Sequence, residues 1–166
     1  MKVIPHSEAM VRKARKWNKE VGSLDNSITS GKGNVAGRLG EIAFASYIGA
    51  DIADDYNFDI VLKGERIEVK TKRRTVRPQG SYMVNVAATS LHQKPDRYVF
   101  MSIKFKRKKG FNYYGVEEVW LCGDMLAEDY MKKSKLWKKG KTDNNGAFTT
   151  LRDMHTLSIN ELDQSF

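Results

Sequence analysis

The stretch Asn57–Arg74, with the sequence NFDIVLKGERIEVKTKRR, constrains the fold more than any other part of the chain. Apolar and polar residues alternate on both sides of Gly64-Glu65, which is the pattern of two antiparallel strands joined by a tight turn. Glycine at the first turn position adopts a positive φ without strain, so we place the two-residue loop at Gly64-Glu65. The sequence therefore predicts a β-hairpin over this stretch.

The predicted pairing places charged side chains together on one face of the hairpin. With the loop at residues 64–65, Val61 lies opposite Glu68. Asp59 then lies opposite Lys70, and cross-strand partners share a face. Asp59 and Glu68 become diagonal neighbours, with Cβ atoms about 7 Å apart. The apolar residues lie on the other face: Phe58, Ile60, Leu62, Ile67 and Val69.

Two carboxylates and a lysine on one face suit the metal-assisted hydrolysis of a phosphodiester. A divalent cation between Asp59 and Glu68 would polarise the phosphate and lower the pKa of a bound water molecule. Lys70 could orient that water or offset developing negative charge. An ordinary amphipathic hairpin with a solvated charged face has the same pattern, and such a match is common by chance. Other parts of the chain have to decide between the two interpretations.

Composition favours a single globular domain that binds a polyanion. The chain has 166 residues, of which 40% are hydrophobic, so it can build one core. Its formal net charge is +9, which makes nucleic acid the first candidate partner and an anionic membrane surface the second. A ribosomal protein or a simple nucleic-acid binder would be equally basic.

Cysteine and histidine usage excludes several kinds of site. The single Cys122 excludes an internal disulfide and a multi-cysteine zinc site, and it favours a reducing compartment. The three histidines have no metal-ligand spacing.

Residues 1–10 contain no apolar segment of a signal peptide, and the longest apolar run, Ile42–Ala50, is too short to cross a membrane. We therefore expect a cytoplasmic protein with no membrane partner.

Residues 1–33 are predicted to form an N-terminal helix and a loop. Ser7 can cap a helix that begins at Glu8 and ends near Gly22. Its basic face is either solvated or lies along DNA. Ser23–Gly33 is rich in serine, glycine and asparagine and reads as a loop. The apolar stripe of the helix is core packing: Met10, Val11, Ala14, Trp17 and Val21.

The second predicted helix, Val35–Ile48, carries an acid among small residues. Gly37 and Gly40 would each cost about 1 kcal/mol in a helix relative to alanine. Their presence suggests that the helix closely approaches the sheet or a ligand. Glu41 lies in this small-residue patch, where it either belongs to a functional site or pairs with Arg38 at i,i+3 on the surface.

Further strands and one helix are predicted after the hairpin. A strand and a short helical turn come first; in that turn, His92 reads as a surface residue and Gln93 matches no fixed motif. The remaining elements are a buried strand, a returning strand, a helix that starts at a turn, and a last strand. The predicted segments are Met83–Ala88, Arg97–Phe105, Tyr113–Cys122, Gly123-Asp124 for the turn, and Met154–Ile159.

Basic residues cluster after the hairpin and in a second tract, Lys104–Lys109, which reads as a hairpin tip. Both clusters are either solvated faces or phosphate contacts. A third tract, Lys132–Lys141, surrounds an aromatic residue that could stack on a base. The candidate nucleic-acid contacts are Lys72, Arg73, Arg74, Arg77, Lys106, Arg107 and Lys108.

The motif Asp59-x8-Glu68-x-Lys70, preceded by Gly40-Glu41 on a helix, resembles the signature of the PD-(D/E)XK nuclease superfamily. The resemblance covers roughly Asn34–Lys72. It departs from the family at Asn57-Phe58-Asp59, which stands where the family name implies Pro-Asp.

This resemblance implies a fold and a set of site residues. The fold would be α/β (α+β), with the restriction-endonuclease-like αβββαβ core over residues 34–166 and a central mixed sheet flanked by helices. Asp59, Glu68 and the backbone carbonyl of Val69 would bind Mg²⁺ or Mn²⁺. Glu41 would complete the acidic site directly or through water, and Lys70 would position the attacking water.

The resemblance further implies a metal-dependent nuclease that acts on double-stranded or branched DNA in a bacterial cell or a phage-infected host. A small chain without a recognition domain could act as a homodimer to cut both strands. The alternative is a non-catalytic, basic nucleic-acid-binding protein or accessory factor on the same fold. A nuclease specific for RNA would differ only in its substrate.

Overall fold

The computed structural model describes residues 1–21, 34–53, 55–108, 111–142 and 149–166. The predicted loop Ser23–Gly33 lies outside the described residues. The helices and strands are, in chain order, β1 (Lys2–Ile4), α1 (Glu8–Val21), α2 (Asn34–Ile48), β2 (Ile60–Leu62), β3 (Glu65–Arg74), β4 (Met83–Ala87), β5 (Arg97–Lys108), β6 (Phe111–Leu126), α3 (Ala127–Lys133), β7 (Lys135–Trp137) and β8 (Met154–Ser158). Two 3-10 turns are Ala88–Ser90 and Ile159–Glu161.

The larger sheet is mixed and has five strands in the order β1-β6-β5-β3-β2. Strands β3 and β5 run parallel, whereas the other neighbouring strands of this sheet pair antiparallel. Strands β4, β8 and β7 form a second sheet that is antiparallel throughout. The prediction of a mixed α/β fold is confirmed at this level, with a five-stranded mixed sheet and three α-helices among the described residues.

Two buried clusters lie on opposite faces of the larger sheet. Successive side chains of a strand point to opposite faces, so β5 contributes to both clusters. Val99 and Met101 pack with α1 and α2 in one cluster. Phe100 packs with the second sheet and α3 in the other, where the fully buried Tyr130 donates a hydrogen bond of 2.8 Å to the carbonyl of His155. The hairpin strand β3 therefore lies between two packed layers.

The start of α1 and the end of α2 lie where a polar residue and a glycine predict them. The side chain of Ser7 accepts a hydrogen bond of 3.3 Å from the amide of Met10 at the start of α1. Gly49 follows α2 with φ of 67°, a left-handed conformation typical of a residue just past a helix end. Gly22, the predicted end of α1, lies outside the described residues.

Helix α2 closely approaches β3 at one glycine. A Cβ atom on Gly40 would lie 2.0 Å from Oγ1 of Thr71, so only glycine fits there without movement. A Cβ atom on Gly37 would meet no atom within 4 Å. The predicted close approach of the helix to the sheet is thus confirmed for Gly40, whereas at Gly37 the helix does not closely approach the sheet and the alternative of a ligand stays a prediction. The contact at Gly40 fixes the distance between α2 and β3 at the position next to Glu41.

The hairpin forms, but the predicted turn and register were wrong. Ile60 pairs with Ile67 and Leu62 with Glu65, so the loop is Lys63-Gly64. Both loop residues have positive φ, 51° and 88°, as a type I′ turn requires. Glycine was predicted at the first turn position, whereas it occupies the second. Because the correction moves each cross-strand partner by two residues, the two faces of the hairpin remain as predicted.

Other differences concern the ends of the sheets. Strands β1 and β7 were not predicted; each has three residues. The predicted turn at Gly123-Asp124 is wrong, because β6 continues to Leu126 and α3 begins at Ala127. Gly123 has φ of 145° and lies so close to the C-terminal segment that a Cβ atom would be 2.6 Å from the carbonyl oxygen of Asp163. No helix among the described residues is long and apolar enough to cross a membrane.

Candidate active site

The hairpin brings Asp59 and Glu68 together. Asp59 directly precedes β2, and its hydrogen bonds to β3 reach the residues on either side of Glu68. The amide of Asp59 donates a hydrogen bond of 2.9 Å to the carbonyl of Ile67. Its side-chain Oδ2 accepts one of 2.7 Å from the amide of Val69. Glu68 is buried, so this acidic pair is held against β3 and largely shielded from water.

Helix α2 contributes a third acid to the same place. Oε2 of Glu41 lies 2.8 Å from Nη1 of Arg38, as the i,i+3 alternative predicted. The pair is not on an open surface, since the two side chains are only 16% and 20% exposed. The Arg38 guanidinium also lies over the ring of Trp17, with 5.1 Å between Cζ and the ring centroid. Pairing with Arg38 and membership of the acidic cluster are therefore compatible.

Burial and mutual repulsion shift the protonation of these acids. Burial raises the pKa of Asp59 well above its usual value, and the negative charges of Glu41 and Glu68 raise it further. Burial also raises the pKa of Glu41, against the opposing hydrogen bond and charge of Arg38. Three carboxylates thus lie within electrostatic range of one another, and the nearby cationic side chains do not offset the cost of charging Asp59 and Glu41.

Lys70 completes the cluster and connects it to a second loop. Its Nζ lies 2.6 Å from Oε1 of Glu68 and 3.2 Å from Oε1 of Gln93. The amide group of Gln93 in turn donates a hydrogen bond of 2.9 Å to the carbonyl of Tyr56. Sequence analysis gave Gln93 no role, because nothing but its polarity distinguished it. The structure places its side-chain oxygen within hydrogen-bond distance of the Lys70 ammonium group, alongside Glu68.

The donor set fits a hard divalent cation. Within the described part of the chain, each of the three acids uses one oxygen for a hydrogen bond or ion pair, and the second oxygen has no such partner. Carboxylate oxygens are the ligands that Mg²⁺ and Mn²⁺ prefer, and a cation would relieve the repulsion among the three charges. Among the residues described, no three acidic, histidine or cysteine side chains are already arranged as a metal cluster. Binding would therefore require side-chain rotation. The Val69 carbonyl stays a predicted ligand; the structure assigns only its amide, to Asp59.

A cavity of about 220 Å³ lies beside the cluster. Its lining includes Lys70, Lys72, Asn85, Ser90 and Phe100, so it extends from the hairpin towards β4 and β5. It leaves room for a phosphate group or several water molecules next to the lysine.

The predicted basic contacts after the hairpin have protein partners. Nζ of Lys72 donates a hydrogen bond of 2.9 Å to the carbonyl of Met83. Nε of Arg74 donates one of 3.0 Å to Ser102, and its guanidinium lies 4.8 Å from the ring centroid of Tyr82. Burial lowers the pKa of Arg74. Lys72 therefore lines the cavity, whereas Arg74 packs against Ser102 and Tyr82.

The remaining basic residues are spread over a wider surface. Arg73 is half-buried, and on an alternating strand its side chain points to the opposite face from Lys72. Arg77 is exposed and forms an ion pair of 2.8 Å with Glu118. Lys106 is exposed near the end of the β5–β6 ribbon, which forms as predicted. The side chains of Arg107 and Lys108 lie outside the described residues. Contact of this set with nucleic acid stays a prediction.

Comparison of the chain with models of protein families, with curated proteins and with solved structures finds no match. The functional interpretation consequently depends on the residues and geometry of this chain.

Proposed function

We propose that the protein is a metal-dependent DNA nuclease of the PD-(D/E)XK type. The observation that carries the proposal is the cluster of three acids beside Lys70, in which Glu68 is buried and Asp59 and Glu41 are half-buried. A solvated hairpin face would leave such acids exposed. Here burial and mutual repulsion raise the pKa of Asp59 and of Glu41, and a bound cation would relieve the repulsion.

Each residue has a distinct role in this proposal. Asp59 and Glu68, with the backbone carbonyl of Val69, hold Mg²⁺ or Mn²⁺, and Glu41 completes the site directly or through water. When bound, the cation polarises the phosphate and lowers the pKa of a water molecule. Lys70 orients the attacking water through its ammonium group, whose position is fixed by Glu68 and Gln93.

The restriction-endonuclease-like αβββαβ core is part of the same proposal. In its support, α2 precedes the hairpin, and an isolated antiparallel bridge joins Ile52 to Ile60 as a short third partner. The parallel strand β5 then pairs with β3. The connection between them contains β4 and the turn Ala88–Ser90, where such a core has its second helix. This connection is the main departure from the expected core.

DNA, double-stranded or branched, is the proposed substrate because the chain is strongly basic. A formal net charge of +9 raises the local concentration of a polyanion and favours contacts with phosphates. In this proposal the cavity beside Lys70 holds a phosphate near the site, and the exposed Lys106 contacts a phosphate farther away. A homodimer that cuts both strands and a cytoplasmic location in a bacterium or an infected host belong to the proposal.

The proposal is tested by incubating the protein with supercoiled plasmid, linear duplex and a branched junction in Mg²⁺, Mn²⁺ or EDTA. We expect cutting with either metal and none in EDTA. Glu68→Ala and Lys70→Ala should fold, as circular dichroism would show, and should bind DNA without cutting it. Metal-independent binding with no cutting of any substrate would instead favour the non-catalytic binding protein.

A further inference from the structure

An exposed aromatic pair lies next to the acidic cluster. Tyr56 is 76% exposed, yet its ring stacks on the imidazole of His92 with 5.4 Å between ring centroids and an interplanar angle of 18°. Tyrosine buries apolar surface when it can, and a stacked pair left open to solvent offers a flat apolar face. Such a face has the shape and chemistry that bind the π-face of a nucleobase.

The pair is held in place from both sides. Nδ1 of His92 is 2.8 Å from the carbonyl of Thr89, and the carbonyl of Tyr56 accepts the hydrogen bond from Gln93. Before Tyr56, Oδ1 of Asp55 accepts a hydrogen bond of 2.7 Å from the amide of Asn57, which fixes the loop as an Asx turn. These contacts hold the His92 ring and the backbone at Tyr56, which reduces the conformational freedom that the pair would lose when a base stacks on it.

The pair is also close to the reacting centre. The carboxamide of Gln93 alone separates the Tyr56 carbonyl from Nζ of Lys70. A nucleotide with its phosphate at Lys70 could therefore extend its own base, or that of its neighbour, over the Tyr56 ring. Phosphate contacts position a strand, whereas an aromatic face selects for bases that are free to stack.

We propose that Tyr56 and His92 form a stacking platform for an unpaired base of the DNA substrate. Inside a continuous duplex both faces of a base are covered by its neighbours, so the platform selects single-stranded, frayed or branched DNA, in which a base face is available. This inference names a substrate class for the proposed nuclease and depends on that function for its catalytic consequence. The stacking itself can be measured without cleavage.

The test is equilibrium binding in EDTA, measured by fluorescence anisotropy with two labelled probes. One probe is a single-stranded oligonucleotide, and the other is a duplex whose two ends are closed by polyether linkers, so that it contains no unpaired base. Stacking on one aromatic residue corresponds to a change of about 5- to 150-fold in affinity. We expect Tyr56→Ala to lose that factor for the single strand and less than about twofold for the closed duplex. Tyr56→Phe should bind as the wild type does.

Tyr47 provides a matched control. It is a second exposed tyrosine, on α2, and its hydroxyl accepts a hydrogen bond of 2.7 Å from Lys2. Tyr47→Ala should leave binding of both probes unchanged. In addition, the fluorescence of 2-aminopurine placed in the single strand should be quenched by the wild-type protein and not by Tyr56→Ala.

The inference is overturned if the wild type does not bind the single strand, or if Tyr56→Ala binds both probes as the wild type does or loses affinity equally for both. Cleavage assays with the wild type separate this failure from that of the proposed function. Metal-dependent cutting with unaltered binding by Tyr56→Ala would reject the platform and keep the nuclease. If Tyr56→Ala selectively loses single-strand binding but the wild type never cuts DNA, the platform would be kept and the nuclease rejected.

Discussion

Oδ2 of Asp59 accepts a hydrogen bond of 2.7 Å from the backbone amide of Val69, which ties the aspartate to the strand that carries Glu68 and Lys70. An asparagine can accept the same bond through its side-chain oxygen, so Asp59→Asn removes the charge while keeping the contact. It therefore separates the electrostatic cost of the acid from its structural role.

Asp59→Asn should stabilise the metal-free protein. Because burial and the charges of Glu41 and Glu68 raise the folded-state pKa of Asp59, its contribution to stability is complete below its unfolded value near 3.8 and is lost as pH rises through the folded pKa. The advantage of Asp59→Asn over the wild type should thus grow as pH rises from about 4 to 8. Urea denaturation in EDTA measures it. Asp51→Asn, at an exposed position, is the matched control for the loss of one negative charge. An Asp59→Asn variant less stable than the wild type at every pH would contradict the prediction.

Gly40→Ala should destabilise the protein, and Gly37→Ala should not. The Cβ atom at residue 40 would overlap Oγ1 of Thr71 at 2.0 Å, and overpacking of this kind costs about 1–3 kcal/mol. At residue 37 the space is open, so alanine should gain about 0.5–1 kcal/mol through helix propensity. The free energy of unfolding from urea titrations tests the pair. Equal effects of the two substitutions would mean that α2 and β3 are not in close contact at Gly40.

Gln93→Ala should slow cleavage at saturating DNA. The glutamine accepts a hydrogen bond from Lys70, and loss of such a supporting contact typically costs about 10- to 100-fold in activity. Single-turnover rates at saturating substrate isolate this effect from any change in binding. Gln79→Ala, at an exposed position after the hairpin, is the matched control and should cut at the wild-type rate. An unaltered rate for Gln93→Ala would show that Lys70 needs no such support.

The Asp96–Arg66 contact should give stability that disappears in acid. Both carboxylate oxygens of Asp96 accept hydrogen bonds from Arg66, one at 2.8 Å from its backbone amide and one at 2.8 Å from Nη2. These bonds lower the pKa of Asp96 to about 2 from 3.8. Their contribution is therefore present above pH 4 and is lost as pH falls towards 2. The stability difference between the wild type and Asp96→Asn, followed by urea denaturation, should shrink over that range. A difference that does not vary with pH would contradict this.

The faces of the hairpin could be predicted from the sequence, and its register could not. Alternation of residue type fixes which side chains share a face, and a shift of two residues leaves that unchanged. The choice of turn depends on Lys63 adopting a positive φ of 51°, which no local pattern indicates for a lysine. The predicted pairing of Glu68 with Val61 was thus wrong, since Val61 pairs with Arg66.

The features that could not be predicted from the sequence depend on contacts between segments that are distant in the chain. Strand β1 is short, and its pairing with β6 depends on residues more than a hundred positions away. Gln93 reaches Lys70 across 23 residues and Tyr56 across 37. Gln93 and Tyr56 belong to no periodic pattern and to no motif, so only the three-dimensional fold brings them to the site.

The most direct test of the central claim is single-turnover cleavage of labelled DNA by Glu68→Gln and Glu128→Gln. Glu68 is buried in the acidic cluster, whereas the side chain of Glu128 is 79% exposed on α3 and serves as the control. With Mg²⁺ present, Glu128→Gln should cut at the wild-type rate, and Glu68→Gln should be slower by at least about a hundredfold. All three proteins should be inactive in EDTA. Cleavage by Glu68→Gln at the wild-type rate, or cleavage by the wild type in EDTA, would contradict the proposed metal-dependent nuclease.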